Sequence, residues 1–218
     1  MSDAAWHDRW QDNRIGFHAD AVNAHLIAYW PTLDIDAQTP VFVPLAGKSL
    51  DMLWLRDQGH PVVGIELSPI AVRDFFAEAD LEPSIEQVGE LQRWHANGIT
   101  LWCGDYFALC AQNIEGAAAV YDRAALIALP PDLRDRYMHH LAQLLPGGSA
   151  GLLITLDYPQ SEMKGPPFSV PQDEVRALCA SRFACNSLAS IDVLQHEPRF
   201  RERGVTRMQE KVLRLSRL

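Results

Sequence analysis

The segment 41–66 constrains the fold most strongly, because its pattern predicts a strand, a tight turn, a helix and a second strand in close succession. The apolar run Val41–Val43 is typical of a strand that is covered on both faces. Gly47 permits a tight turn and Ser49 is a suitable helix N-cap. Glu66 ends the second strand, about 20 residues after the turn, where nucleotide-binding α/β units place an acid that binds ribose hydroxyls. The segment therefore predicts a site for a nucleoside ligand.

Three other interpretations of this segment are open. Residues 46–49, AGKS, resemble the end of a phosphate-binding P-loop, but that motif requires a glycine where Phe42 stands. A dinucleotide-dependent oxidoreductase would require G-x-G-x-x-G, and of these glycines only Gly47 is present. The third interpretation is that Glu66 is an ordinary carboxylate at the end of a strand.

Composition excludes several classes of protein. The length of 218 residues suits one α/β domain, and the net charge of -9 argues against binding to nucleic acid. No apolar run is long enough to span a membrane, and the N-terminus lacks a signal-peptide pattern. The cysteines show no C-x-x-C spacing; they are Cys103, Cys110, Cys179 and Cys185. We therefore expect a reduced, metal-free cytoplasmic protein.

Further apolar runs predict that the alternation of strands and helices continues to the C-terminus. The predicted strands are Ile99–Cys103, Ala117–Tyr121 and Leu152–Leu156. One predicted helix begins with Ser68 as its N-cap and Pro69 at its first position, and two others span Pro131–Leu145 and Pro171–Ala180. Residues 80–98 are polar and predict an irregular surface connection. Two β-like runs, 188–194 and 205–215, predict an antiparallel terminal pair.

Charged residues follow two of the predicted strands. Asp105 comes directly after the third strand, and Asp122 and Arg123 follow the fourth. Ligands of open α/β sheets bind at such strand ends, so all three residues are candidates for a binding site. A turn-forming aspartate and a surface ion pair are the alternative interpretations.

The N-terminal region lies outside this alternating pattern. Trp6 and Trp10 fall on one face of a predicted helix over residues 4–14, and a second helix is predicted for 21–30. These helices either cover a ligand cleft or pack on the core. The proline-interrupted segment Asp157–Val170 is long enough to be a lid or a binding loop.

Several stretches resemble the thiopurine S-methyltransferase family. They are FVPLAGKSLDMLWLRDQGHPVVGIELS, VYDRAALIALP, GPPFSVP and the N-terminal WQDNRIGFH. The resemblance implies the α/β fold of class I S-adenosylmethionine-dependent methyltransferases, with a seven-stranded, mostly parallel sheet, an antiparallel C-terminal hairpin and helices on both faces. It implies one domain over residues 1–218, with residues 1–30 as a helical cover, and a monomer.

The resemblance also implies roles for matching residues. S-adenosyl-L-methionine would be the cofactor, and its contacts would be Trp10, Leu45, Glu66, Asp105, Tyr106 and Arg123. Phe17 and Arg199 would contact the acceptor, with Arg201 as the alternative to Arg199. The acceptor would be a small thiol or selenol, and bacterial members are associated with methylation of selenium and tellurium compounds.

The motifs contain no nucleophile, triad or metal set. We therefore expect the acceptor's own ionised sulfur to be the nucleophile, with Arg123 and the arginines of the segment 198–203 favouring the anionic form. The histidines are interpreted as surface or packed residues; they include His7, His18, His25, His139 and His140. A nucleotide-dependent oxidoreductase and a non-catalytic nucleoside-binding module remain the alternatives.

Overall fold

The computed structural model describes residues 3–12 and 19–218, so the predictions for Phe17 and His18 lie outside the described residues. The strands are β1 (Val41–Val43), β2 (Val62–Glu66), β3 (Ser84–Val88), β4 (Leu91–Ala96), β5 (Ile99–Cys103), β6 (Ala119–Arg123), β7 (Ala150–Asp157), β8 (Phe183–Asp192) and β9 (Gln209–Arg217). The helices are α1 (Asp3–Gln11), α2 (Ala24–Tyr29), α3 (Asp51–Asp57), α4 (Pro69–Glu78), α5 (Pro131–Leu144), α6 (Gln172–Cys179) and α7 (Pro198–Glu202).

All nine strands of the described residues form one mixed sheet in the order β3-β4-β5-β2-β1-β6-β7-β9-β8. The central five strands, from β5 to β7 in that order, are parallel. The strands β9 and β8 continue the sheet in antiparallel pairing. The predicted α/β class, with a mostly parallel sheet and an antiparallel C-terminal hairpin, is confirmed.

The prediction of an irregular connection over residues 80–98 was wrong, because β3 and β4 form an antiparallel hairpin there that pairs with β5. The hairpin brings the strand count to nine in place of seven. Its sequence shows no strand pattern because β3 is fully exposed and only Leu91 of β4 is buried. Pairing with β5 and the stacking of Trp94 on Phe76, with ring centroids 6.1 Å apart, hold the hairpin on the sheet.

The bounds of the terminal hairpin also differ from the prediction. The strand β8 begins at Phe183, five residues before the predicted start at Leu188, because its pairing with β9 already starts at Phe183, opposite Arg217. The strand β9 begins at Gln209, after Val205. The residues between them contain the short helix α7, which the sequence did not predict.

Helices cover both faces of the sheet, as predicted. The strands β1, β2 and β5 are buried along their whole length, which explains their continuous apolar sequences. One face packs against Met52 of α3 and Phe75 of α4, and the other packs against Tyr137 of α5 and Val175 of α6. This two-sided burial fixes the positions of the strand ends.

The starts of α3 and α4 can be compared with their predicted caps. Ser68 is the N-cap of α4, and its hydroxyl accepts a hydrogen bond from the Ala71 N–H at 3.5 Å, as predicted. Ser49 is not the N-cap of α3, because Leu50 occupies that position. The Ser49 hydroxyl instead accepts from the Asp51 N–H at 3.2 Å, inside the turn that precedes the helix.

The two N-terminal helices are shorter than predicted. The helix α1 ends at Gln11, and α2 begins at Ala24, where the Asn23 side chain accepts hydrogen bonds from two backbone N–H groups. Residues 30–33 form a 3-10 turn that contains Pro31. Within residues 3–12 and 19–218, no helix is long and apolar enough to cross a membrane.

Candidate functional site

A cavity of about 560 Å³ lies at the carboxyl ends of β1, β2, β6 and β7. The sheet order places β1 between β2 and β6, so the crossovers on the two sides of β1 run in opposite directions along the sheet. Ligands of open α/β sheets bind at such a switch point. The helix α1 contributes Trp6, Arg9 and Trp10 to the cavity wall, and the α7 region contributes Arg199 and Phe200.

The turn after β1 carries the first predicted contacts. Leu45 and Gly47 both have positive φ, +45° and +57°, and both line the cavity. The Gly47 N–H donates to Glu66 Oε2 at 2.9 Å, and the Ser68 N–H donates to Glu66 Oε1 at 2.8 Å. These bonds fix the carboxylate at the cavity wall, and each oxygen keeps a lone pair for a ligand.

Glu66 is only 8% exposed, and burial raises the pKa of its carboxyl group. The backbone hydrogen bonds from Ser68 and Gly47 oppose this rise, because they favour the charged form. A ligand hydroxyl that donates to Glu66 would favour the charged form further. A diol that donates hydrogen bonds to Glu66 would therefore stabilise the charged form of this buried acid.

Trp10 of α1 is buried and lies over this turn. A Cβ atom built on Gly47 would lie 3.5 Å from the Trp10 ring, so the backbone of the turn and the indole are in close contact. Trp6 and Arg9 line the same wall, with the Arg9 guanidinium 5.4 Å from the centroid of the Trp6 ring. The structure therefore brings Trp10, Leu45 and Glu66 together, as the sequence predicts.

The end of β6 supplies side chains to two different environments. Tyr121 and Arg123 line the cavity, whereas Asp122, between them, faces the opposite side of the sheet. Asp122 is fully buried and accepts hydrogen bonds from the Tyr137 hydroxyl at 2.6 Å and the Leu126 N–H at 3.2 Å. Burial raises the pKa of Asp122 to about 6, against the effect of these hydrogen bonds.

Asp51 is a cavity residue that the sequence analysis missed. Its side chain is 1% exposed and accepts hydrogen bonds from the Tyr121 hydroxyl and the Asn23 N–H, both at 2.8 Å. Arg123 Nη1 lies 3.9 Å from Asp51 Oδ2. An aspartate in the first turn of a helix is so common that its type and position carried no signal. Only the tertiary pairing with β6 distinguishes it.

The far wall comes from the C-terminal part of the chain. Arg199, the predicted acceptor contact, lines the cavity, and its Nε donates to Glu197 Oε2 at 3.0 Å. Arg203 lines the cavity as well, whereas its neighbour Arg201 is exposed and does not. Glu210 of β9 also lines the wall. Arg203 belongs to the segment 198–203, whose arginines were predicted to lie at the acceptor, whereas Glu210 was not predicted from the sequence.

Two predicted site residues lie elsewhere. Asp105 caps a 3-10 turn, with its Oδ1 accepting from the Phe107 N–H at 3.0 Å. The Tyr106 ring is buried between Phe42 and Tyr137, with centroids 6.4 Å and 4.9 Å away. Neither residue lines the cavity, and their contacts with a ligand stay predictions.

Comparison with known sequences points to a single family. The family profile of thiopurine S-methyltransferase matches residues 1–218. A thiopurine S-methyltransferase of Pseudomonas fluorescens is 48% identical over 215 residues, 99% of each chain. Another, from Pseudomonas paraeruginosa, is 51% identical over 212 residues, which is 97% of each chain.

Comparison with solved structures concerns the fold alone. A methyltransferase from Anabaena variabilis described as dependent on S-adenosylmethionine superposes with a TM-score of 0.65 and 13% identity, covering 99% of this chain and 95% of that one. A Burkholderia thailandensis N1-methyltransferase, solved with S-adenosylhomocysteine, gives a TM-score of 0.62 at 15% identity and covers 98% and 87%.

Proposed function

The chain belongs to the thiopurine S-methyltransferase family, and from this premise we propose that it methylates the sulfur of thiopurines and related aromatic thiols. It is a methyltransferase that uses S-adenosylmethionine. The observation that carries the proposal is the cavity itself, in which a wall suited to a nucleoside meets a wall suited to an aromatic anion.

The cofactor half of the cavity consists of Trp10, Leu45, Gly47 and Glu66. Glu66 is suited to accept hydrogen bonds from two ribose hydroxyls, because its carboxylate is fixed by the Gly47 and Ser68 N–H groups. The open backbone at Gly47 allows close approach, and the Trp10 indole excludes water from above. When bound, the cofactor supplies an electrophilic methyl group on a positively charged sulfur.

The acceptor half consists of Arg123, Arg199, Phe200, Arg203 and Glu210. Guanidinium groups favour the thiolate over the neutral thiol, because an opposite charge stabilises the ionised form. Phe200 is buried at the wall and offers an apolar surface to an aromatic ring. We propose that the acceptor lies between Arg123 and the α7 segment, with its sulfur towards the cofactor half.

The protein would accelerate the reaction by aligning the thiolate with the methyl group and by excluding water from the cavity. An ionised aromatic thiol is already a strong nucleophile, so the proposed mechanism uses no side chain as general base. Holding it in line with the methyl group in a water-poor cavity can supply about 7–11 kcal/mol of the barrier reduction. The arginines keep the acceptor anionic at neutral pH.

Other attributes complete the proposal. Selenols and tellurium compounds would be further acceptors, because their ionised forms are still softer nucleophiles. The chain would act as one domain over residues 1–218 and as a cytoplasmic monomer, with residues 1–30 as the cover of the cavity. The position of α1 against Gly47 supports the role of the cover, and light scattering would test the monomer.

Transfer of a methyl group from S-adenosylmethionine to 6-mercaptopurine and to thiophenol, followed by mass spectrometry, tests the function. We expect both S-methyl products and S-adenosylhomocysteine in equal amounts. Calorimetry with S-adenosylhomocysteine, NADH and ATP separates the alternatives. Binding of NADH alone would indicate an oxidoreductase, and binding of S-adenosylhomocysteine without any methylated thiol would overturn the proposed acceptor class.

A further inference from the structure

Asp51 connects three separate parts of the chain at the cavity wall. Its Oδ1 accepts from the backbone N–H of Asn23, the N-cap of α2, and its Oδ2 accepts from the Tyr121 hydroxyl of β6. The same Oδ2 lies 3.9 Å from Arg123 Nη1. The carboxylate is 1% exposed, whereas the Arg123 side chain is 24% exposed and extends into the cavity.

A carboxylate at this depth does more than start a helix. An aspartate in the first turn of α3 would favour the helix equally well at the surface, without losing its hydration. A buried carboxylate is tolerated only where hydrogen bonds and an opposite charge replace water. Asn23 and Tyr121 supply the hydrogen bonds, and Arg123 supplies the charge. The geometry thus couples Asp51 to the arginine that faces the acceptor.

We propose that Asp51 is a positioning residue that holds Arg123 at the acceptor and limits the positive field that Arg123 exerts on the acceptor sulfur. This inference rests on the proposed function. Asp51 orients the guanidinium from behind, and its negative charge cancels part of the positive potential in the cavity. The bound thiol therefore ionises at a pH set by the pair and not by Arg123 alone. A thiol with a higher pKa gives a more basic thiolate, which is a stronger nucleophile towards the methyl group.

Other charged groups contribute to the same potential, and the variants below leave them in place. They are Arg9 of α1, Lys48 of the turn, Glu66 of β2, the Glu197–Arg199 pair, Arg203, and Glu210 with its partner His25 of α2. Asp122, behind Arg123, faces away from the cavity. Burial and the charge of Asp51 both raise the pKa of Tyr121 well above its ordinary value, so Tyr121 acts here as a hydrogen-bond donor.

The test measures the ionisation of thiophenol bound to the complex of the protein with S-adenosylhomocysteine. Thiophenolate absorbs at longer wavelength than thiophenol, so a pH titration gives the bound thiol's pKa without turnover. Asp51→Asn keeps the size of the side chain and should lower this pKa by several tenths of a unit or more. Arg123→Gln should raise it. Asp51→Glu keeps the negative charge, so the pKa of the bound thiol should stay at the parent value.

Turnover gives a second measurement. In the alkaline plateau, where the thiol is ionised in every variant, Asp51→Asn should reduce kcat about tenfold, because a loosely held Arg123 no longer aligns the sulfur. The affinity for S-adenosylhomocysteine should stay near that of the parent, since Asp51 acts on the acceptor half. A purely structural role would lower thermal stability and leave the pKa of the bound thiol unchanged.

Each outcome decides between the possibilities. An unchanged or higher thiol pKa in Asp51→Asn overturns the inference. If Asp51→Asn does not fold, Tyr121→Phe is the deciding variant. It removes the hydrogen bond that neutralises part of the Asp51 charge, so the pKa of the bound thiol should rise. An unchanged or lower pKa would contradict the inference. If the parent protein binds S-adenosylhomocysteine but no aromatic thiol, the proposed function fails, and this inference fails with it.

Discussion

The cofactor half and the acceptor half of the cavity differ in how the chain builds them. Three of the four residues of the cofactor half come from a single strand-turn-helix-strand segment, 41–66, with Trp10 added from α1. The acceptor half combines the end of β6, the α7 region and β9, which are far apart in sequence. Site residues within one local segment can be identified from their spacing in the sequence. Site residues from distant segments can be identified only once the sheet order is known.

Each half also rests on a buried acid. Glu66 is held by backbone N–H groups and faces the cavity, whereas Asp122 is held by Tyr137 and faces the core behind Arg123. Burial raises the pKa of both carboxyl groups. The difference is that a ligand in the cavity can donate hydrogen bonds to Glu66 and so stabilise its charged form, whereas Asp122 faces away from the cavity.

The largest effect is expected for the pH dependence of stability in Asp122→Asn. Because the folded-state pKa is raised from 3.8 to about 6, the contribution of Asp122 is fully present below pH 3.8 and is lost as the pH rises through 6. Between these limits, the free energy of unfolding of the parent should therefore fall by about 3 kcal/mol relative to that of Asp122→Asn. Urea unfolding of both proteins at pH 4 and pH 7.5 measures the difference.

Tyr137→Phe serves as the matched control. The Tyr137 hydroxyl donates to Asp122 Oδ2 and lowers its pKa, so removing it should move the loss of stability to higher pH. A pH-independent difference between the parent and Asp122→Asn would show that the pKa of Asp122 is the same in the folded and unfolded states. The buried acid behind Arg123 would then be no different from a surface acid.

The next effect concerns Glu66→Gln, which changes the cofactor half alone. A charge-assisted hydrogen bond is worth about 1.5–3 kcal/mol, so the affinity for S-adenosylhomocysteine should fall about 10–100-fold while the protein stays folded. Calorimetry measures this. The affinity of the parent should also weaken at acid pH, because Glu66, with its raised pKa, is then protonated. Glu66→Gln should lack this dependence.

Glu210→Gln is the control from the acceptor half, since Glu210 also lines the cavity as a carboxylate. It should leave the affinity for S-adenosylhomocysteine nearly unchanged. Equal losses in the two variants would mean that the cavity does not divide into a cofactor half and an acceptor half. Parent-like affinity in Glu66→Gln would make Glu66 an ordinary strand-end acid.

The same contrast explains what could be predicted from sequence. The parallel sheet, the terminal hairpin and the position of Glu66 at the cavity follow from local periodicity and spacing, because buried strands and a glycine turn have distinctive sequences. Asp51 and Glu210 gave no such signal, since their partners come from β6 and α2. The β3–β4 hairpin was missed because β3 is exposed on both faces and its residues face water.

A smaller effect is expected for Gly47→Ala. Gly47 has a φ of +57°, and an alanine in this conformation costs about 1–2 kcal/mol. Its Cβ would lie at ordinary contact distance from Trp10, so strain and not a clash is expected. The control is Gly148→Ala, whose φ is +85° and whose Cβ would meet nothing within 4 Å. Both should lose stability, but only Gly47→Ala should weaken S-adenosylhomocysteine binding, because this turn lines the proposed cofactor half of the cavity.

The smallest expected effect concerns α1, which completes the cofactor half from outside the segment 41–66. Trp10 packs on the turn at Gly47, and Trp6 and Arg9 line the cavity, so a bound cofactor would add contacts to one whole face of this helix. Amide exchange in residues 3–12 should therefore slow when S-adenosylhomocysteine binds, as expected for a cover that closes on its ligand. The helix α5 packs on the opposite face of the sheet and is the internal control, with unchanged exchange. Hydrogen exchange followed by mass spectrometry resolves both helices in one experiment. Equal protection of α1 with and without the ligand would make it a fixed part of the core, and the cofactor half would then be complete before binding.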